Sequence, residues 1–185
     1  MKNFIIILIV FISQQSFSNE RTVNVDKSFV KWTGKEITTK IHFGKLNISS
    51  GSITVDDNGV SGEVNVNMES LVVEDLQGEW GKKLEGHLKS DDFFSVDKFK
   101  ESSIKTTSST KKSDNSYEVQ GVLTIKDISH PITFDVEVDG NTLNANLTFD
   151  RSLYDVRFRS GSFFENLGDK LIVDDIDLEV TLELN

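Results

Sequence analysis

Four segments of the chain alternate apolar and polar residues with a period of two. In Tyr117–Ile125 the odd positions are Tyr117, Val119, Gly121, Leu123 and Ile125. In Ile132–Val138, Ile132, Phe134, Val136 and Val138 alternate with Thr133, Asp135 and Glu137. Leu143–Phe149 and Ile176–Leu184 repeat the pattern. Successive side chains of a strand point to opposite faces, so each segment has one dry face and one wet face. That is the signature of antiparallel sheet rather than of buried parallel sheet. Less regular strands are predicted at Thr22–Asp26, Phe29–Thr33, Ile41–Val55 (bent or interrupted near Gly51), Val60–Met68 and Phe99–Thr107. Asn58-Gly59, Lys112–Asn115 and Asp139-Gly140-Asn141 supply turns. Pro131 is placed at a strand start, where a missing N–H costs least.

One stretch changes period. Leu76, Trp80, Leu84, His87 and Leu88 recur at helical spacing, with Asp75 as the expected N-cap. Gly78, Gly81 and Gly86 weaken this helix, each by roughly 1 kcal/mol against Ala, so it depends on docking its apolar stripe. Arg151–Asp169 is irregular and mixes aromatics with charge. Eight or so one-sided antiparallel strands have two economical solutions, a sandwich or a closed barrel. The pattern alone leaves both open.

The N-terminus reads as an address. Lys2 precedes an unbroken apolar run, Phe4–Ile12, and small residues follow at Ser16 and Ser18. This is the order of a secretory signal peptide, with cleavage expected near Ser18. The run is too short for a permanent membrane span, which needs about 20 residues. The expected organisation is a signal peptide over residues 1–18 and one domain over residues 19–185.

Composition narrows the function. A net charge of −10 repels phosphate backbones, so nucleic acid is not an expected partner. With no Cys, the chain has no disulfide scaffold, thiolate metal site, cysteine nucleophile or lipid-modified N-terminal Cys. The three His residues, His42, His87 and His130, do not sit at metal-ligand spacing. Ser160-Gly161-Ser162 is not a nucleophile elbow, and no P-loop or cofactor motif occurs. His87 falls on the helical stripe, where it reads as a packed residue or as a polar handle at a pocket mouth. Arg151, Asp155, Arg157 and Arg159, beside Tyr154, Phe158, Phe163 and Phe164, form either an ion-pair network bracing a loop or a site for an anionic group. Acid pairs such as Asp174-Asp175 read as solvated.

Four blocks are recognisable. They are Val25-Asp26-Lys27-Ser28 with Val30-Lys31-Trp32-Thr33-Gly34; His42-Phe43-Gly44 with Gly51-Ser52-Ile53; Gly86-His87-Leu88-Lys89-Ser90-Asp91-Asp92-Phe93-Phe94; and Gly121-Val122-Leu123-Thr124-Ile125-Lys126-Asp127-Ile128-Ser129-His130-Pro131. In these the chain resembles the YceI-like family of small exported lipid-binding proteins. The tail Tyr154-Asp155-Val156-Arg157-Phe158 with Gly161–Phe164 and Asn166–Asp169 is similar to one subgroup. Lys100 and Asp127 depart from the family pattern, both at turn positions, so the fold is expected to survive them.

The resemblance implies an all-β fold, an eight-stranded antiparallel lipocalin-like barrel with a short helix near one end. It also implies a long interior tunnel for polyisoprenoid chains, such as quinone tails or prenyl diphosphates. On this reading the protein is a periplasmic carrier without enzymatic activity, cofactor, metal or stable membrane anchor; a homodimer stays open. Its expected wall is Trp32, Phe43, Leu84, Leu123, Phe134 and Phe149. Its expected polar handles are His42, His87, Tyr154 and Arg157. The rivals are an enzyme acting on an isoprenoid lipid and a structural or stress module with a filled barrel.

Overall fold

The structure, a computed structural model, describes residues 20–185. The expected signal peptide and its cleavage site lie outside the described residues. The strands are β1 (Glu20–Thr22), β2 (Phe29–Lys35), β3 (Ile41–Asp56), β4 (Gly59–Val73), β5 (Glu101–Lys111), β6 (Ser116–Ile125), β7 (Ile128–Asp139), β8 (Thr142–Asp150) and β9 (Asp175–Glu183). One helix, α1 (Gly78–Lys89), lies between β4 and β5.

These strands close into an eight-stranded antiparallel barrel. The ladder runs β3, β2, β9, β8, β7, β6, β5, β4 and returns to β3. β1 adds no ninth stave. It pairs with Ser52–Thr54 of β3, while β2 pairs with Ile41–Asn47, so the two occupy one position in turn. The expected strand Thr22–Asp26 therefore stops early. Asn24 turns the chain, its carbonyl accepting from the Lys27 N–H at 3.2 Å.

Two other expectations change. β3 is continuous through Gly51, and its irregularity is a pair of register shifts against β4 between Lys45 and Ser50. Such bulges bend a strand without ending it. Pro131 lies inside β7, paired with Val122. Pair alternation from the Ile125–Ile128 closing pair turns its nitrogen away from β6. β7 has no ladder partner on that side before Asp135, so no hydrogen bond is lost.

The barrel has a hairpin end and a helical end. The hairpin end is made of tight turns at Asp57-Asn58, Lys112–Asn115 and Gly140-Asn141. The helical end holds residues 36–40, 74–100, 126–127 and 151–174. α1 is capped by the backbone of Gln77, without a side-chain cap bond. Asp75, the expected cap, is engaged elsewhere. Trp80 belongs to an exposed first turn and is 72% exposed, while Leu76 before it and Leu84 and Leu88 after it pack on the core. Gly81 is needed there, because a Cβ would stand 2.6 Å from the Leu76 carbonyl oxygen. Among the described residues no helix is long and apolar enough to cross a membrane.

Candidate functional site

A cavity of about 350 Å³ occupies the barrel interior, and every strand from β2 to β9 contributes to its wall. Inward positions of alternating strands supply the lining, including Ile48, Val64, Val119, Val136, Leu143 and Leu182. These side chains leave the centre open because several are short: Val, Ala145 and the hydroxyl residues Ser102 and Thr106 of β5. β5 has the weakest apolar pattern of the barrel, and it introduces the hydroxyls midway along the wall.

The charged and imidazole groups of the lining all lie at the helical end: Lys35, Glu36, His42, His87, Arg151 and Arg159. His42 Nδ1 is 2.8 Å from Asp75 Oδ2, and Asp75 Oδ1 accepts from the Phe43 N–H at 3.0 Å. His87 Nε2 is 3.1 Å from Asp92 Oδ2. Its ring stands edge-on to Phe158, with centroids 4.5 Å apart, and to Phe93, 5.0 Å apart. Each imidazole is therefore held by a carboxylate and presents its other face to the cavity rim.

Arg151 is fully buried and organises this end. Its guanidinium donates to the carbonyls of Val156 (3.1 Å), Phe158 (3.0 Å), Ile172 (3.1 Å) and Val173 (3.3 Å). It also stands 3.0 Å from Asp174 Oδ1. Asp174 Oδ2 accepts from Ser160 and Ser162, both at 2.8 Å. Asp174 is thus not the solvated acid expected from the sequence. Burial pulls the Arg151 pKa below its ordinary value, opposed by Asp174 and Asp150. The network stitches the start of the β8–β9 connection to its end, so it resolves the arginine cluster partly as a structural brace.

Seven of the ten candidate residues line the cavity: Trp32, His42, Leu84, His87, Leu123, Phe134 and Phe149. Three do not. Phe43 is 45% exposed on the outer face. It follows His42 in the same strand, and neighbours in a strand cannot both point inward. Tyr154 is buried in a satellite cluster with Leu123, Ile125 and Phe149, because the chain leaves β8 through a tight turn, Arg151–Tyr154, capped by Asp150. Burial pushes the Tyr154 phenol up to about 12. Arg157 is exposed, ion-paired with Asp155 and stacked on Phe163. It lines an outer pocket of about 430 Å³ with Asp91, Asp92 and Lys126. Burial holds Lys126 below the ordinary lysine value, with Asp155 acting in the opposite sense.

Arg159, two residues on, reaches the cavity, as Lys35 and Arg151 do. It is half-buried, stacks on Phe158 at 5.1 Å, and lines both the cavity and the outer pocket. Among the described residues it takes part in no ion pair within 4.0 Å, unlike Arg151 and Arg157. Trp32 is held by a second device. Its indole N–H donates to the Val72 carbonyl at 3.2 Å, across the space a side chain at Gly44 would fill. A Cβ there would lie 1.9 Å from that oxygen and 2.9 Å from the indole nitrogen.

A closed antiparallel barrel with an apolar interior and polar groups gathered at one end belongs to the lipocalin-like class of barrels. More narrowly, the chain belongs to the YceI-like family, whose domain model matches residues 22–184. A UPF0312 protein of Yersinia enterocolitica is 29% identical over 114 residues, 61% of this chain and 57% of the relative. One of Vibrio parahaemolyticus is 29% identical over 98 residues, 52% of this chain and 50% of the relative. The chain thus spans little more than half the length of these curated relatives. Among solved structures, Burkholderia cenocepacia BcnA superposes with a TM-score of 0.66 at 18% identity, covering 86% of this chain and 98% of that one. A polyisoprenoid binding domain from Saccharophagus degradans superposes with a TM-score of 0.58 at 10% identity, covering 89% and 98%. At these identities the likeness defines the fold.

Proposed function

We propose that the protein is an exported, periplasmic carrier that shields a polyisoprenoid or similar long-chain apolar lipid inside the barrel. One observation carries this reading: an apolar cavity runs between all eight staves, and its charged groups are confined to the helical end. A ligand with an apolar chain and a single polar head matches that division. The chain would run past Trp32, Leu123, Phe134 and Phe149 towards Val60, Leu143 and Leu182 near the hairpin end. The head would meet His42, His87 and Arg159.

The energetics are sufficient without catalysis. Each buried methylene-sized group contributes roughly 0.8 kcal/mol. Several isoprene units therefore give on the order of 10 kcal/mol before association and chain-ordering costs are subtracted. The Saccharophagus neighbour, described as a polyisoprenoid binding domain, supports the choice of ligand class. The signal-peptide pattern of residues 1–18 supports export. The histidines are read as oriented polar handles. Native mass spectrometry of freshly purified protein tests the proposal. A co-purified or added prenyl lipid retained at one per chain is the expected result. A bare protein mass, unchanged after incubation with prenyl alcohols and prenyl diphosphates, overturns it.

A further inference from the structure

The outer surface of the helical end is unlike the rest of the molecule. Large apolar side chains stand exposed on three of its separate segments. Ile37 (54% exposed) and Ile41 (52%) flank the β2–β3 connection. Trp80 (72%) lies on α1, and Leu153, Phe163 and Phe164 lie on the β8–β9 connection. At the opposite end, the hairpin turns carry Asp57-Asn58, Lys112–Asn115 and Gly140-Asn141. Val25 is the exposed large apolar residue on that side.

Three observations say what this face meets. First, the cavity reaches solvent at this end. Lys35, which is exposed, and the half-buried Glu36 and Arg159 line it here, whereas Ile53, Val60, Leu143 and Leu182 near the hairpins are buried. Second, the exposed aromatics are paired with cations. Lys83 lies 4.9 Å over the Trp80 ring, and Arg157 lies 4.9 Å over Phe163. An aromatic body with a cationic neighbour suits the boundary between acyl chains and headgroups. Third, the four connections at this end hold eleven basic and thirteen acidic residues, close to balance in a chain of net charge −10. The repulsion that the rest of the surface offers to a lipid headgroup layer is nearly absent at this face.

We infer that the helical end is a reversible lipid-surface docking face, on which Trp80, Phe163 and Phe164 insert at the headgroup level and set the cavity mouth against the bilayer. The purpose of this face rests on the carrier reading above. A lipid held in the barrel would enter and leave through a mouth sealed against the membrane, without crossing water. The three aromatics sit on two independent connections, so they form a base rather than a single anchor, and their small number keeps the contact reversible.

Flotation of the full chain with phosphatidylcholine vesicles, free of isoprenoid, tests the face alone. The chain is expected to float, with binding little changed by salt because the face is near charge balance. Combined Trp80→Ser, Phe163→Ser and Phe164→Ser is expected to lower partitioning by roughly tenfold or more. Val25→Ser is expected to leave it unchanged. Quenching by brominated phosphatidylcholine supplies a readout in the unaltered chain. It is expected in that chain and lost in Trp80→Phe. A chain that stays in the aqueous fraction, or one that Val25→Ser weakens as much as the triple variant does, overturns the inference. Uptake of geranylgeraniol from detergent micelles reads the cavity separately. Uptake without flotation overturns the docking face and leaves the carrier reading standing; flotation without uptake does the reverse.

Discussion

The two ends of the barrel are closed by different physics. At the hairpin end three closures are local: two- to four-residue turns join strands that are already paired, and the turn residues dictate the geometry, while the segment after β1 is tied to the C-terminus through Arg21, Asn24 and Asn185. At the helical end closure is long-range. α1 is rich in glycine and lies over the rim by its docked stripe, and the β8–β9 connection is held by one buried guanidinium reaching carbonyls up to 22 residues away. Among the described residues the lining of the local end has no charged or imidazole group. The long-range end assembles all the charged and imidazole groups of the cavity. An end built from contacts distant in sequence can vary its residues and mobility without disturbing the strand ladder, and this is the end that carries recognition.

That contrast is sharpest at two ion pairs. Arg151→Met removes the guanidinium that holds four carbonyls and leaves Asp174 half-buried without its counter-charge. Breaking such a pair is expected to cost about 3–5 kcal/mol, read as a lower midpoint in urea unfolding. Lys112 bonds both carboxylate oxygens of Asp135 at 2.9 Å beside the hairpin end, on the surface. Lys112→Met is expected to leave the midpoint unchanged, because exposed pairs contribute little. Equal effects of the two changes would remove the distinction between the ends.

Next in size is Gly44→Ala. The added methyl meets the Val72 carbonyl and displaces the Trp32 indole from it, at an expected cost of about 1–3 kcal/mol. Trp32 emission should shift in the same variant, since its environment changes with the fold retained.

The satellite cluster at the helical end gives a pH dependence. Tyr154 ionises near its ordinary value of 10.0 in the unfolded chain and at about 12 in the folded one. Between those values the unfolded state releases the proton first. Stability is therefore full below pH 10 and falls as pH rises towards about 12. Tyr154→Phe should flatten that part of the alkaline unfolding profile.

The smallest effect concerns the β6–β7 turn, a two-residue turn at the helical end. Lys126 and Asp127 both adopt left-handed backbone, with φ of 52° and 60°. Glycine has no penalty there, so Asp127→Gly is expected to raise stability by ~0.5 kcal/mol in the same urea measurement.

The sequence was legible where structure is local. Period-two alternation located β6 through β9 within a few residues, and the four recognised blocks carried the closed barrel that alternation alone left open beside a sandwich. The same rule also separates His42 from Phe43, since adjacent strand residues face opposite ways: with His42 as an inward handle, Phe43 cannot be part of the wall. Trp80 shows the limit of helical periodicity, which predicts a shared face but not where the rim of the barrel ends. Arg157 and Arg159 lie in irregular backbone, where no period tells which side chain turns inward. Asp174 reads as one more surface acid in a chain with 30 acids, because only its contact with Arg151, 23 positions earlier, distinguishes it.

The central claim is that the barrel interior is a binding site. Trp32 lines the cavity and Trp80 stands outside it, and the chain has two Trp in all. In Trp80→Phe the emission of Trp32 therefore reports the interior alone. Titration with geranylgeraniol is expected to change that emission saturably. Adding Ala145→Phe, which fills the middle of the cavity from β8, should abolish the change while the barrel stays folded. Emission that does not respond to the lipid, or that responds equally with the cavity filled, would contradict the account.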